Sequence, residues 1–302
     1  MKMLRRSFLR NLLAASSSGL LLRSSLRAQA VGISVTPLRD KLHLLSGAGG
    51  NIIIQEGPEG LLLVDCGLPD STAGILAETG KIGNGQVTRL FNTHWHTDHT
   101  GSNVVLGKKG VKITAQENVR TRLAKGQYME FFKRQVDPMA PEGLPSDTFR
   151  DKGKIAFGGE TAHYEHLPPA HTDGDSVIFF HNANVFHGGD LLFNGLYPFI
   201  DYGSAGSLAG MAANAERILK MVAGDTIIVP GHGPVAQKSD VKEYADMLAG
   251  CLEIFTKEIK AGKTLEQMQA DKPFKAYDEK WGKMFIKPDQ WIAFNYAGMT
   301  KS

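Results

Sequence analysis

Cysteine is nearly absent, with only Cys66 and Cys251 in 302 residues. That scarcity excludes a scaffold stapled by many disulfides. It also excludes a thiolate-rich metal site, because neither cysteine has a cysteine neighbour at metal-ligand spacing. Both are expected to be free, largely buried thiols. No uninterrupted apolar run reaches about 18 residues, so no membrane span is expected. A strong net charge is missing too, since 34 basic residues against 31 acidic ones leave +3. Six of the bases (Lys2, Arg5, Arg6, Arg10, Arg23 and Arg27) fall in the first 30 residues, where there is no acid. The remainder carries 28 basic and 31 acidic residues, a net of −3. The apparent basicity is therefore local and is not a nucleic-acid footprint.

What the chain does have is histidine in a restrictive pattern. Asn92-Thr93-His94-Trp95-His96-Thr97-Asp98-His99 follows the apolar run Val87-Thr88-Arg89-Leu90-Phe91, which reads as a strand end. Alternation puts His94 and His96 on one side of an extended segment. Asp98 and His99 follow where the chain turns. Histidine and aspartate are usual ligands of zinc and its neighbours. Four such groups within six residues point to two metals side by side. Three further turns between apolar runs offer the remaining ligands: His171 in Ala170-His171-Thr172-Asp173-Gly174, Asp190 in Gly188-Gly189-Asp190, and His232 in Pro230-Gly231-His232-Gly233. Glycines beside such groups permit tight turns and close approach.

Those seven residues, His94, His96, Asp98, His99, His171, Asp190 and His232, resemble in order and spacing the metal ligands of the metallo-β-lactamase-fold hydrolases. The resemblance covers most of residues 38–235. Asp65 in Leu61-Leu62-Leu63-Val64-Asp65 resembles the family's strand-end aspartate near the site. The resemblance implies a fold, an α/β (α+β) αββα sandwich of two mixed sheets flanked by helices. It implies that His94, His96 and His171 hold one metal, that Asp98, His99 and His232 hold the other, and that Asp190 bridges them. A hydroxide would lie between the metals, with Asp98 as the catalytic residue that orients it and passes a proton. Zn2+, two ions per chain, is the implied cofactor, and iron or manganese suits the same donors. In true β-lactamases the Asp190 position usually holds cysteine or serine. Aspartate there resembles instead the glyoxalase II, lactonase and sulfatase-like branches.

Residues 1–30 read as a targeting segment rather than as fold. Arg5-Arg6-Ser7-Phe8-Leu9 resembles a twin-arginine signal, a modest apolar stretch follows, and Ala28-Gln29-Ala30 reads as a cleavage site. An ordinary secretory signal, or an amphipathic basic helix on a membrane, is the alternative. Either export route implies a periplasmic or secreted protein without stable membrane insertion. Residues 31–302 then form one hydrolase domain, with a core over about 38–235 and a helical segment over 236–302.

Periodicity predicts strands over 41–45, 51–55, 61–65, 87–91, 111–114, 154–157, 161–167, 176–180, 184–187 and 225–229. Helices are predicted over 70–79, 117–125 and 207–222. Pro58-Glu59-Gly60 supplies a hairpin turn. The order of strands, helix, strand, repeated, makes two similar halves and suits sheet-on-sheet packing. Residues 126–148, apolar and rich in proline, fall outside this pattern and read either as a cover over a substrate cleft or as a surface element. Tyr197 reads as either a packing residue or a donor to substrate. Trp281, Trp291, Phe294 and Tyr296 read as docking anchors. His43, His163, His166, His181 and His187 read as structural, with His187 the best placed to support a ligand, and Asp65 a good acceptor for a ligand imidazole.

The function expected is cleavage of an ester, lactone, thioester or amide in a small-molecule substrate. The alternatives are β-lactam hydrolysis, an iron-binding oxidoreductase or sulfur-transfer protein with the same cage, and a non-catalytic metal binder.

Overall fold

The computed structural model describes residues 32–301. The targeting segment expected over 1–30 lies outside the described residues. In chain order the first half holds β1 (Ser34–Pro37), β2 (Leu42–Ser46), β3 (Ile52–Gly57), β4 (Gly60–Val64), α1 (Thr72–Thr79), β5 (Val87–Phe91), α2 (Thr97–Thr100), α3 (Asn103–Lys108), β6 (Lys112–Gln116), α4 (Glu117–Lys125), β7 (Gln127–Met129), β8 (Arg134–Val136) and β9 (Asp147–Phe149). The second half holds β10 (Lys152–Phe157), β11 (Glu160–His166), β12 (Ser176–Phe180), β13 (Val185–His187), α5 (Leu208–Met221) and β14 (Ile227–Val229). Four helices follow: α6 (Lys238–Lys260), α7 (Leu265–Asp271), α8 (Lys275–Trp281) and α9 (Pro288–Thr300).

Two sheets carry the fold, in orders β1-β2-β3-β4-β5-β6-β9 and β10-β11-β12-β13-β14. Each is an antiparallel meander that ends in parallel pairing: β4 with β5 in the first, β13 with β14 in the second. The period of two along each strand sorts side chains between layers. Ile53, Leu62 and Val64 point into the core between the sheets, where they share a cluster with Ile178, Phe180, Val185 and Val229. Their neighbours Ile52, Ile54, Leu61 and Leu63 point the other way, onto Ile75 of α1 and Leu106 of α3. The second sheet does the same, sending Val177, Phe186 and Ile228 to a cluster with Met211 and Ile218 of α5 and Leu248 of α6. Helix, sheet, sheet, helix is the layering expected, a mixed α/β sandwich.

Four strands escaped the sequence reading: β1, β7, β8 and β9. β1 is short and largely exposed, with no buried alternation to mark it. β9 pairs parallel with β6, so the end of the 126–148 excursion belongs to the first sheet after all. Its three residues give no periodicity to read. The rest of the excursion forms the β7–β8 hairpin and a turn at Pro141–Gly143.

The C-terminal helices are integral to the fold. Trp291 is fully buried and stacks on Tyr197, with ring centroids 4.6 Å apart and planes 6° from parallel. Trp281 is buried as well, against Tyr244 of α6. Trp291→Ala should therefore cost about 3–5 kcal/mol in a denaturant titration. A loss under about 1 kcal/mol would show that the helical segment is only loosely attached.

Candidate metal centre

Parallel pairing fixes where functional groups can gather. β4 and β5 end at one edge of the first sheet, β13 and β14 at one edge of the second. Loops leaving the carboxyl ends of these strands meet there. β4 delivers Asp65, β5 delivers residues 92–99, β13 leads to Asp190 on a tight turn at Gly189–Leu191, and β14 leads to His232. His171 arrives from the turn before β12.

The seven predicted residues converge in two groups. Ligand atoms of His94, His96, His171 and Asp190 lie within 4.8 Å of one another, as do those of Asp98, His99 and His232. The rings of His94, His96 and His171 are nearly perpendicular in pairs, at 86° to 90°, with centroids 4.6 to 4.9 Å apart. In the second group Asp98 Oδ2 is 3.1 Å from His232 Nε2 and 3.6 Å from His99 Nε2. Asp190 reaches both groups. Its Oδ2 is 3.4 Å from His171 Nε2 and 3.3 Å from His232 Nε2, and its Oδ1 is 3.1 Å from His99 Nε2.

Close backbone approach makes the cage possible. A Cβ on Gly50 would sit 2.2 Å from the His99 ring, and one on Gly231 would sit 1.9 Å from Asp190 Oδ1. Only glycine fits at these two points.

Partners behind the cage aim each imidazole. His99 Nδ1 donates to Asp65 Oδ2 at 2.7 Å. His94 Nδ1 lies 3.0 Å from Thr93 Oγ1, which itself donates to Asp65 Oδ2 at 2.8 Å, so Asp65 stands behind both rings. Asp65 Oδ1 also accepts from the Thr93 N–H. His171 Nδ1 donates to the Phe199 carbonyl at 2.8 Å. The His171 turn is clamped by Asp175, which accepts from the N–H groups of His171 and Thr172. His96 Nε2 donates to Asp201 Oδ2 at 3.0 Å.

Asp65 was legible as an acceptor, but Asp201 and Asp175 were not singled out. Asp201 precedes Tyr202-Gly203-Ser204 and accepts from the Ser204 N–H, so its sequence marks a turn without showing that the other oxygen faces His96. Both ring nitrogens of His187 bond backbone groups rather than a candidate ligand. Its Nδ1 accepts from the Gly189 N–H and its Nε2 donates to the Asn51 carbonyl, which fixes the backbone beside Asp190. Tyr197 packs and takes no part in the cage: it is fully buried, and its hydroxyl donates to Asp278. Cys66 and Cys251 are free and buried, as expected.

The donor set fits a cation. The Asp201 contact places a proton on His96 Nε2 and the Phe199 contact places one on His171 Nδ1, which leaves the opposite nitrogen of each ring free to face a cation. Those two nitrogens face each other at 2.8 Å, an arrangement that calls for a shared positive charge. At the cage, His94 Nε2 is buried with no hydrogen-bond partner, and Asp190 Oδ1 has none beyond the approach of His99 Nε2 at 3.1 Å. Buried polar atoms are rarely left so.

Charge divides the cage. Burial holds His94 well below the ordinary histidine value and lowers His171 to about 4, so these rings are neutral. Burial opposes charge on His99 and His232 as well. Asp190 and Asp98 outweigh it, raising His99 well above the usual range and His232 to about 10. Burial would raise Asp98 and Asp190 in turn, yet the imidazoles beside them hold both below the ordinary carboxylate range. His94 and His171 are neutral, whereas Asp98, Asp190, His99 and His232 form a dense ion-pair network.

The cage floors a cavity of about 430 Å³. His96, Asp98, Asp190 and His232 form its polar end, and Leu68, Met129, Val136, Leu196, Phe199 and Phe285 form apolar walls.

Two outcomes are expected from this geometry. Asp65→Ala strands the Thr93 hydroxyl, the Thr93 N–H and the His99 ring in a dry interior. It should cost about 3–5 kcal/mol of stability, read by denaturant unfolding, and a cost below about 0.5 kcal/mol would contradict the role given to Asp65. A cation that binds His232 must displace the proton held there up to about pH 10. Cation affinity should therefore fall as pH falls, with protons released on binding that a pH-stat can count. Binding without proton release would contradict this.

Comparison with known proteins gives this arrangement a family. Residues 46–233 match the Metallo-beta-lactamase superfamily. A metallo-beta-lactamase type 2 of Bacillus cereus is 21% identical over 199 residues, which is 66% of this chain and 72% of that one. A hydroxyacylglutathione hydrolase of a Polaromonas species is 28% identical over 157 residues, about half of each chain (51% and 51%). Among solved structures, a metallo-beta-lactamase from Pontibacter korlensis superposes with a TM-score of 0.60 at 20% identity, covering 72% of this chain and 99% of that one. A double mutant of the sec-alkyl sulfatase PisA1 gives a TM-score of 0.63 at 16% identity, over 88% of this chain and 50% of that one. With its metal-binding histidine and aspartate cluster at the ends of the sandwich strands, this chain belongs to the metallo-beta-lactamase superfamily and is a metallo-hydrolase.

Proposed function

We propose that this protein is an exported, binuclear zinc hydrolase that cleaves an ester, lactone, thioester or amide bond in a small molecule. The observation that carries this reading is Asp190, buried between the two groups and within ion-pair distance of imidazoles in both. His94, His96 and His171 would hold one ion. Asp98, His99 and His232 would hold the other, with Asp190 shared. Histidine and carboxylate donors without thiolate suit zinc. When bound, such ions make hydroxide available near neutral pH and polarise a carbonyl oxygen. Export rests on the arginine pair and the small-residue site of the first thirty residues.

The chain's own residues supply the rest. Asp98 is the catalytic residue of this reading. It lines the cavity, its side chain keeps about a third of its exposure (31%), and His99 and His232 keep it ionised. An ionised carboxylate at the mouth can take a proton from the attacking water and return it to the leaving group. Asp190 stays behind, nearly buried, and adds negative charge that makes a bound water less acidic. Asp65, Asp201 and the Phe199 carbonyl keep four imidazoles aimed, so no reorganisation is needed as charge develops.

The relatives' names span lactam, acylglutathione and alkyl sulfate chemistry. An aspartate at position 190, where cysteine or serine stands in true β-lactamases, favours acyl esters and thioesters over β-lactams. Elemental analysis of purified protein should find two zinc ions per chain. A panel of lactones, thioesters, aryl esters, phosphodiesters and nitrocefin should show turnover among the acyl esters. Asp98→Ala should lower kcat by about 10²- to 10⁴-fold with metal content retained at the other group. Undiminished turnover after chelation, or bound iron with a visible absorption band, would refute the zinc hydrolase.

A further inference from the structure

The cavity over the cage has an aromatic wall, and it holds one charge that the cage does not use. Phe132 lies in the turn of the β7–β8 hairpin, Phe199 in the loop whose carbonyl holds His171, and Phe285 between α8 and α9. Phe132 contacts both of the others, with ring centroids 5.1 Å from Phe199 and 6.0 Å from Phe285. Phe132 and Phe285 keep 40% and 57% of their exposure. Leaving large aromatic rings open to water beside a reaction centre is costly unless a ligand covers them. Arg134, on β8, lines the same cavity. Among the described residues, and apart from the cage carboxylates Asp98 and Asp190 and the cage imidazoles, it is the only charged residue that does so. Among the described residues its guanidinium has no ion pair and no hydrogen bond, unlike Arg122, which grips Asp173 with two nitrogens.

We propose that the substrate is an amphiphilic carboxylate, whose apolar chain lies on the Phe132, Phe199 and Phe285 wall and whose anionic end is received by Arg134, with the scissile bond over the cage. The inference rests on the hydrolase reading for the last clause only. A cavity of about 430 Å³ accommodates about fourteen water-sized groups, the bulk of a medium-length chain and its head. The planar guanidinium fork matches a carboxylate in two-point contact. A single arginine neutralises a single negative charge, so a monoanion fits where a dianion would leave charge uncompensated beside Asp98 and Asp190.

Calorimetric titration of the metal-loaded protein with decanoate, butyrate and decanol tests the pocket without needing turnover. Decanoate should bind more tightly than butyrate, by up to about fourfold for each buried methylene. It should also bind about tenfold more tightly than decanol. Arg134→Gln should erase the advantage over decanol and leave decanol binding unchanged, while Arg134→Lys restores part of it. Phe132→Ala should weaken decanoate and decanol alike. Decanoate binding that is unaltered in Arg134→Gln overturns the anion site, including the case in which the carboxylate rests on the metals instead. Butyrate binding as tight as decanoate overturns the apolar wall. Turnover is read separately with neutral and ω-carboxylated 4-nitrophenyl esters of equal chain length, where Arg134→Gln should raise KM for the carboxylated ester alone. Absence of any turnover alongside the expected binding pattern would sink the hydrolase reading and leave the pocket standing.

Discussion

A single buried carboxylate organises this protein's functional end. Asp190 is only 5% exposed, yet it stays ionised because the charged His232 and His99 stand beside it. Isolated, such a charge would be expelled or neutralised. Surrounded, it obliges four loops from two sheets to meet at one point. The tight turn after β13, the glycine at 231 that lets the β14 loop pass within touching distance, and the pairing of β13 with β14 all serve that position. Removing a partner from a buried ionic set leaves the others uncompensated, so the cage is energetically one object.

The supports behind the cage extend that logic inward. Asp65 holds the His99 ring directly and the His94 ring through Thr93. It sits at the end of β4 in the left-handed region, with φ of 64°. Such a conformation is uncommon outside glycine, asparagine and aspartate, and it persists where surroundings over-determine it. Here three hydrogen bonds to the carboxylate do so. The cavity wall is tied to the same framework, because Phe199 offers its carbonyl to His171 and its ring to the pocket. The cavity wall and the aim of the His171 ring therefore share one residue.

How much of this was legible depended on how local the signal was. The octet 92–99 could be read at once, because four donors within six residues at a strand end have few bland explanations. His171, Asp190 and His232 were legible only as glycine-flanked polar residues after apolar runs, and the resemblance to a family joined them into one site. The buried strands were plain from continuous apolar runs, as in Gly60–Val64 and Ser176–Phe180. Asp201 stayed hidden because a turn-capping aspartate looks the same whichever way its second oxygen points. Strand β9 stayed hidden because three residues carry no period, and its place beside β6 is decided by tertiary pairing. Arg134 stood out in neither composition nor spacing, and only the folded hairpin brings it to the cavity.

In the proposed function Asp190 lies between two cations, one held by each histidine group. Anomalous diffraction from zinc-loaded crystals, recorded above and below the zinc absorption edge, tests it most directly. Two peaks are predicted, one against His94, His96 and His171 and one against Asp98, His99 and His232, with the Asp190 carboxylate between them. A single peak at full zinc loading, or two peaks with Asp190 turned away from both, would contradict it.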